Sequence, residues 1–248
     1  MSKVYLIGAG PGDADLITLK GIKAIENSDV ILYDKLVNKD ILKYAKAKSL
    51  KIFVGKENGY HSIEQDKINE IMLKYVKEGF VVSRLKSGDP FIFGRGAEEA
   101  LFLKENNINY EIIPGVSSAT ALAVHAYIPL TYRELSSSFA VITGHKVDGN
   151  LNHIKWDKIA GIDTLVFLMA VSSRQEIARR LIENGRSADD PVAFVENGFF
   201  DDERIITTSL GDIIKTNIEI KSPAVMIIGE VVGLREKLRQ KEILLCKS

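Results

Sequence analysis

Short apolar and β-branched runs alternate with longer stretches of helical period through the first half of this chain, and that alternation narrows its possible folds more than any other feature. The runs fall at residues 4–7, 30–33, 52–54, 81–85 and 110–113. Between them the helical pattern is clearest over 62–78, where Ile63, Ile68, Ile71, Met72, Tyr75 and Val76 recur mostly at three- and four-residue steps, and Ser62 and Gln65 have the spacing of a capping box. Parallel strands need crossovers of this length, so the pattern predicts an α/β domain with a mostly parallel sheet and helices on both faces. Pro114-Gly115 breaks the alternation, and the small-residue segment 116–127 after it has helical character. We place a domain boundary there, with an N-terminal α/β domain over 1–114 and a C-terminal α/β domain over 115–248. In the second domain, runs at 139–143, 164–169, 192–195, 204–208 and 224–228 accompany a clear helix over 174–184 that Gly185 stops. The close succession of runs between 191 and 208 predicts a hairpin and therefore a mixed sheet.

Charge and residue usage exclude several function classes. Lys plus Arg equals Asp plus Glu at 33 each, so no overall field gathers nucleic acid or an anionic membrane. An anionic ligand must then be met by local groups. The single cysteine, Cys246, rules out an intrachain disulfide and a cysteine-based zinc site, and fits a reducing cytoplasm. His61, His125, His145 and His153 have neither H-x-x-x-H nor H-E-x-x-H spacing, so no metal is expected. The start of the chain lacks a signal-peptide layout, and the longest apolar runs, such as 165–171, are far shorter than the roughly 18 residues of a membrane span. A cytoplasmic protein without a membrane or nucleic-acid partner is expected.

Gly8-Ala9-Gly10-Pro11-Gly12-Asp13 stands after the first strand, where a dinucleotide fingerprint would sit. Asp13 occupies the place of its third glycine, and Pro11 removes an N–H from the turn that would cradle pyrophosphate. These two residues count against a nicotinamide-dependent oxidoreductase, although Asp34 imitates the ribose-binding acid. A tight turn whose glycines serve packing alone is the plainer reading. The segment Arg84-Leu85-Lys86-Ser87-Gly88-Asp89-Pro90-Phe91-Ile92-Phe93-Gly94-Arg95-Gly96 is harder to explain as architecture. It leaves the carboxyl end of the fourth strand, where open α/β sheets bind ligands, and combines acid, base, glycine and aromatic residues.

GAGPGD at 8–13, YDKLV at 33–37, VGK at 54–56, RLKSGDPFIFGRG at 84–96, PGVSSA at 114–119, IPLTYRE at 128–134, TGH at 143–145, VENG at 195–198 and SPAVMIIGEVV at 222–232 follow one another along most of the chain. In this order they resemble the uroporphyrinogen-III C-methyltransferases, the precorrin-2-forming branch of the tetrapyrrole methyltransferases. FGRG after GDP, together with IPLT, is the most specific part of the match. The resemblance implies a two-domain α/β homodimer with S-adenosyl-L-methionine in the cleft between domains, released as S-adenosyl-L-homocysteine, a tetrapyrrole substrate and no metal. It assigns donor contacts to Pro11, Ser87, Gly88, Asp89, Ile92, Ser117, Ser118, Met169, Ala193, Gly198 and Ala224. Met169 on its own would read as core.

Methylation of a pyrrole carbon leaves the ring cationic until a proton departs, so a carboxylate near the reacting carbon suits the chemistry. Asp34, just past a strand end and matching the family's acid, is the candidate general base; Lys56 is the candidate proton donor or partner of a substrate carboxylate. Arg84, Arg95, Arg133, His145 and Lys20 are candidates for the remaining substrate carboxylates, arginine being favoured for bidentate contact. Ser87, Tyr132, Glu134 and Phe199 depart from the family's usual glycine, histidine, aspartate and threonine. A methyltransferase of a later corrin precursor is the alternative within the class. Outside it stand the oxidoreductase and a non-catalytic adenosyl-binding protein, against which Asp34, Lys56 and Arg95 count.

Overall fold

A computed structural model of the chain describes residues 2–55, 65–216 and 218–239. Lys56 and Ser62, singled out above, lie outside the described residues. The chain divides into two compact units, Met1–Ala121 and Leu122–Ser248.

The first unit is built on strands β1 (Lys3–Gly8), β2 (Val30–Tyr33), β3 (Leu50–Phe53), β4 (Val81–Lys86) and β5 (Tyr110–Ile113), with helices α1 (Leu19–Asn27), α2 (Gln65–Lys77) and α3 (Gly96–Glu105). The strand order is β3-β2-β4-β1-β5, and every pairing is parallel. The side-chain period of two divides the sheet cleanly. Val4, Leu6, Val30, Leu32 and Val82 face Ile68, Met72 and Val76 of α2 and Ala100 and Leu103 of α3. On the opposite face Ile7, Ile31, Leu85 and Ile113 meet Ala24 and Ile25 of α1. Thr18 caps α1 by accepting a hydrogen bond from the Gly21 N–H. The Ser28 and Ser83 hydroxyls pair 2.6 Å apart inside this second layer, which satisfies both.

The helix Ser118–His125, α4, carries the chain into the second unit. There β6 (Phe139–Thr143), β7 (Thr164–Leu168), β8 (Pro191–Glu196), β9 (Arg204–Ser209) and β10 (Ala224–Ile228) form a sheet of order β6-β7-β10-β8-β9. Only β6 and β7 pair in parallel; the pairings of β10 with β7 and β8, and of β8 with β9, are antiparallel. The expected hairpin is therefore β8–β9, and the sheet is mixed. Phe167, Phe194, Met226 and Ile228 form its core with Trp156 of α5 (Trp156–Ile159), Ile177 and Leu181 of α6 (Arg174–Glu183), and Ile213 of α7 (Leu210–Lys215). A short α8 (Arg235–Leu238) ends the described chain. No helix among the described residues is long and apolar enough to cross a membrane.

Several carboxylates clasp loops to strands. Asp29 accepts from the Val81 N–H at 3.0 Å and from Lys46 at 2.9 Å. Asp163 accepts from the Ser137 and Ser138 N–H groups at 2.8 and 3.0 Å and from both hydroxyls. These hydrogen bonds favour the ionised form and hold both acids below the ordinary aspartate value, the Val81 and Ser137 N–H groups being the largest causes. Because the folded values are depressed, the stabilisation is present above the unfolded value and is lost as pH falls through the folded one. The urea midpoint, followed by circular dichroism, should drop between about pH 5 and about pH 3. In Asp29→Asn and Asp163→Asn variants that drop should be smaller.

Candidate active site

Since the first sheet is wholly parallel, all its strands end at one edge, with β1 between β4 and β5. Three glycines meet there. A Cβ on Gly8 would lie 2.5 Å from both the N and Cα of Gly115 and 2.7 Å from the carbonyl oxygen of Gly88. Each of those neighbours is backbone, so only glycine lets the ends of β1 and β5 and the loop after β4 approach this closely. Gly10 and Gly88 then exchange two hydrogen bonds, Gly88 N–H to Gly10 at 2.9 Å and Gly10 N–H to Gly88 at 3.3 Å. Asp89 ties the arrangement together: one carboxylate oxygen accepts from the Phe91 N–H at 2.8 Å and the other from the Gly115 N–H at 3.0 Å.

Beside this backbone edge lies a cluster of charges. On β4, Val82, Arg84 and Lys86 share the face covered by α2 and α3, so the strand passes from apolar core to cations as it nears the edge. Arg84 is 2% exposed and Glu99, on the inner side of α3, is 0% exposed. The Arg84 guanidinium donates from Nε to Glu99 at 3.1 Å, from Nη1 to the Leu85 carbonyl at 2.9 Å, and from Nη2 to both oxygens of Asp34 at 2.8 and 2.9 Å. Lys86 and Gln65 donate to the same Glu99 oxygen at 2.9 and 3.0 Å. Burial, and then repulsion by Arg84, push the Lys86 ammonium below the ordinary lysine value, against the attraction of Glu99. Asp34 is the outermost member, its side chain 31% exposed.

The residues expected at a ligand separate into several situations. Pro11 is buried within the first glycine turn, and Ser87, Gly88, Ser117 and Ser118 stand around the glycine contact. Ile92 is exposed between Phe91 and Phe93, on a loop where Phe93 and Arg95 adopt left-handed backbone, φ 52° and 58°. Arg95 lies outside the cluster, its Nε 3.0 Å from Glu98. Lys20 is exposed and paired with Glu111 at 2.6 Å. Arg84, expected at a substrate carboxylate, has its guanidinium turned to protein groups. Glu99, Lys86 and Gln65 were not among the expected site residues. The signal for them was the period of two in β4, which puts Arg84 and Lys86 under a helix and so requires a buried acid.

In the second unit β6, β7 and β8 point the same way, so Thr143, Leu168 and Glu196 end at one edge, beside Ala224 at the start of β10. Met169, half exposed rather than core, follows β7 at φ 57°; Asn197 and Phe199 follow β8 at 45° and 69°. Such backbone costs about 1–3 kcal/mol per residue and marks sites where the surroundings impose it. At Gly198 between them a Cβ would collide with the Leu122 side chain. Phe199 is braced by its N–H to Glu203 at 2.9 Å and by the His125 ring 4.1 Å away, and His125 in turn meets Glu203 at 2.8 Å. Ala193 is fully buried in the middle of β8, and Arg133 and His145 are exposed on loops.

A family model of the Tetrapyrrole (Corrin/Porphyrin) Methylases matches residues 3–214. A uroporphyrinogen-III C-methyltransferase of Priestia megaterium is 49% identical over 94% of this chain and 99% of its own length. One from Bacillus subtilis is 47% identical over 96% of this chain and 94% of its own. Among solved structures, the uroporphyrin-III C-methyl transferase of Thermus thermophilus, complexed with S-adenyl homocysteine, shares 37% identity with a TM-score of 0.82, covering 94% of this chain and all of that one. With a parallel and a mixed α/β sheet, glycine-built strand ends and a match across most of its length, this chain belongs to the tetrapyrrole (corrin/porphyrin) methylases.

Proposed function

We propose that this protein transfers two methyl groups, one at a time, from S-adenosyl-L-methionine to carbon atoms of uroporphyrinogen III, giving precorrin-2. Relatives of nearly equal length bear the name of that activity, and the Thermus structure holds the demethylated donor. The observation that carries the reading is Asp34, a partly exposed carboxylate held by a buried arginine next to a strand edge made of glycine and serine. An adenosyl ligand needs close backbone approach and few charged walls, and Gly88, Ser117 and Ser118 offer that in the first unit, as Gly198 and Ala224 do in the second. Pro11, Ser87, Ile92, Met169 and Ala193 complete the donor set we propose.

When bound, the donor would supply an electrophilic methyl group on a sulfonium, transferable in line to the attacking carbon with S-adenosyl-L-homocysteine as the leaving thioether. The protein's share is alignment and proton handling. Asp89 acts through the backbone it ties, fixing Gly115 and Phe91, and so shapes the donor loop. Attack turns the pyrrole ring cationic; Asp34 then takes the proton whose departure restores the neutral ring. Arg84 holds Asp34 in place, while Arg95, Arg133, His145 and Lys20 are the groups we propose for the substrate's carboxylates. Lys56 is proposed as proton donor or carboxylate partner.

With S-adenosyl-L-methionine and uroporphyrinogen III under anaerobic conditions, mass spectrometry should find a product heavier by two CH2 units, each methyl gained being offset by a proton lost; an unchanged tetrapyrrole would refute the proposal. In the same assay Asp34→Asn should slow turnover by about two to four orders of magnitude while calorimetry shows little change in donor affinity. We also propose a homodimer in the cytoplasm. Light scattering should then give about twice the 27.5 kDa chain mass, and a fully active monomer would contradict it.

A further inference from the structure

We propose that Glu99 is a positioning residue for methyl transfer, fixing the Arg84 guanidinium and, through it, the carboxylate of Asp34. The inference rests on Asp34 being the base proposed above. As a stabilising device the cluster is poor. Three donors, Arg84 Nε, Lys86 Nζ and Gln65 Nε2, converge on a single oxygen of Glu99, and the other oxygen is buried without a hydrogen-bond partner among the described residues. Buried ion pairs seldom outperform apolar packing, and an unpartnered buried oxygen adds to their cost.

What the arrangement does achieve is orientation. A planar guanidinium anchored at Nε by Glu99 and at Nη1 by the Leu85 carbonyl cannot turn, so the direction of Nη2 is set. Nη2 is the atom that meets both oxygens of Asp34. Asp34 follows β2 on the loop side of the strand end and would otherwise be free to change rotamer. Lys86 balances the charge, leaving two cations and two carboxylates in the cluster. Glu99 touches neither Asp34 nor open solvent, so its influence on the reaction runs through Arg84.

The test is turnover under single-turnover conditions, with S-adenosyl-L-homocysteine affinity measured alongside, for Glu99→Gln, Glu99→Asp and Arg84→Lys, each alone and combined with Asp34→Asn. Glu99→Gln and Arg84→Lys should each slow methyl transfer about 10- to 100-fold, the scale on which small misplacements act. Homocysteine-product affinity should stay within about twofold, and Glu99→Asp should recover part of the loss. In the Asp34→Asn background the same substitutions should cost less than about twofold, because the group they orient is gone. Equal losses in both backgrounds, unchanged turnover in the single variants, or a matching loss of product affinity would each overturn the proposal. If Glu99→Gln does not fold, Arg84→Lys, which keeps the charge, decides the matter. If Asp34→Asn alone leaves turnover intact, the base assignment is what has failed, and the role of Glu99 falls with it.

Discussion

Where β1 and β5 end, their backbones and the loop after β4 come within a distance that any side chain would forbid, and the first unit is arranged around that contact. Gly8, Gly88 and Gly115 come from distant parts of the sequence but lie on or beside adjacent strands. Asp89 locks the approach by accepting the Gly115 and Phe91 N–H groups, so an acid that looks like a ligand contact also organises the loop. The result is an edge made of backbone and small side chains. Such an edge admits a compact ligand close to the main chain, which side-chain walls would hold away.

The second constraint is electrostatic. Arg84 and Lys86 are on the face of β4 that α2 and α3 cover, so two cations must be accommodated in an interior that penalises unpaired charge. Glu99 meets both from α3, and Asp34 meets Arg84 from the neighbouring strand end. A chain without net charge thereby keeps a strongly polarised cluster at one edge. The pairing also explains why Arg84 differs from Arg95: the first spends its guanidinium on buried and strand-end groups, whereas the second is exposed and, among the described residues, pairs with Glu98 three residues away.

The second unit reaches a comparable edge by other means. Its strand ends carry non-glycine residues in left-handed backbone, and Phe199 is supported by His125 and Glu203. A large aromatic ring at that backbone conformation needs lateral support, and the imidazole, tilted 36° to it with ring centres 4.1 Å apart, provides it.

Much of this architecture was legible in the sequence. The apolar runs at 30–33, 110–113 and 139–143 coincide with β2, β5 and β6, and the run-to-run spacing was enough to foresee a parallel first sheet and a mixed second one with its β8–β9 hairpin. These features are local, because strand and helix periods are written in neighbouring residues and crossover length fixes parallel pairing. The glycines and Asp89 were visible too, but not what they touch. Arg84 read as a free cation for a substrate because sequence shows a charge without showing which helix covers it. Whether that cation faces solvent, an acid on α3 or a carboxylate on the next strand depends on strand order and on helix packing, and only the tertiary structure decided both.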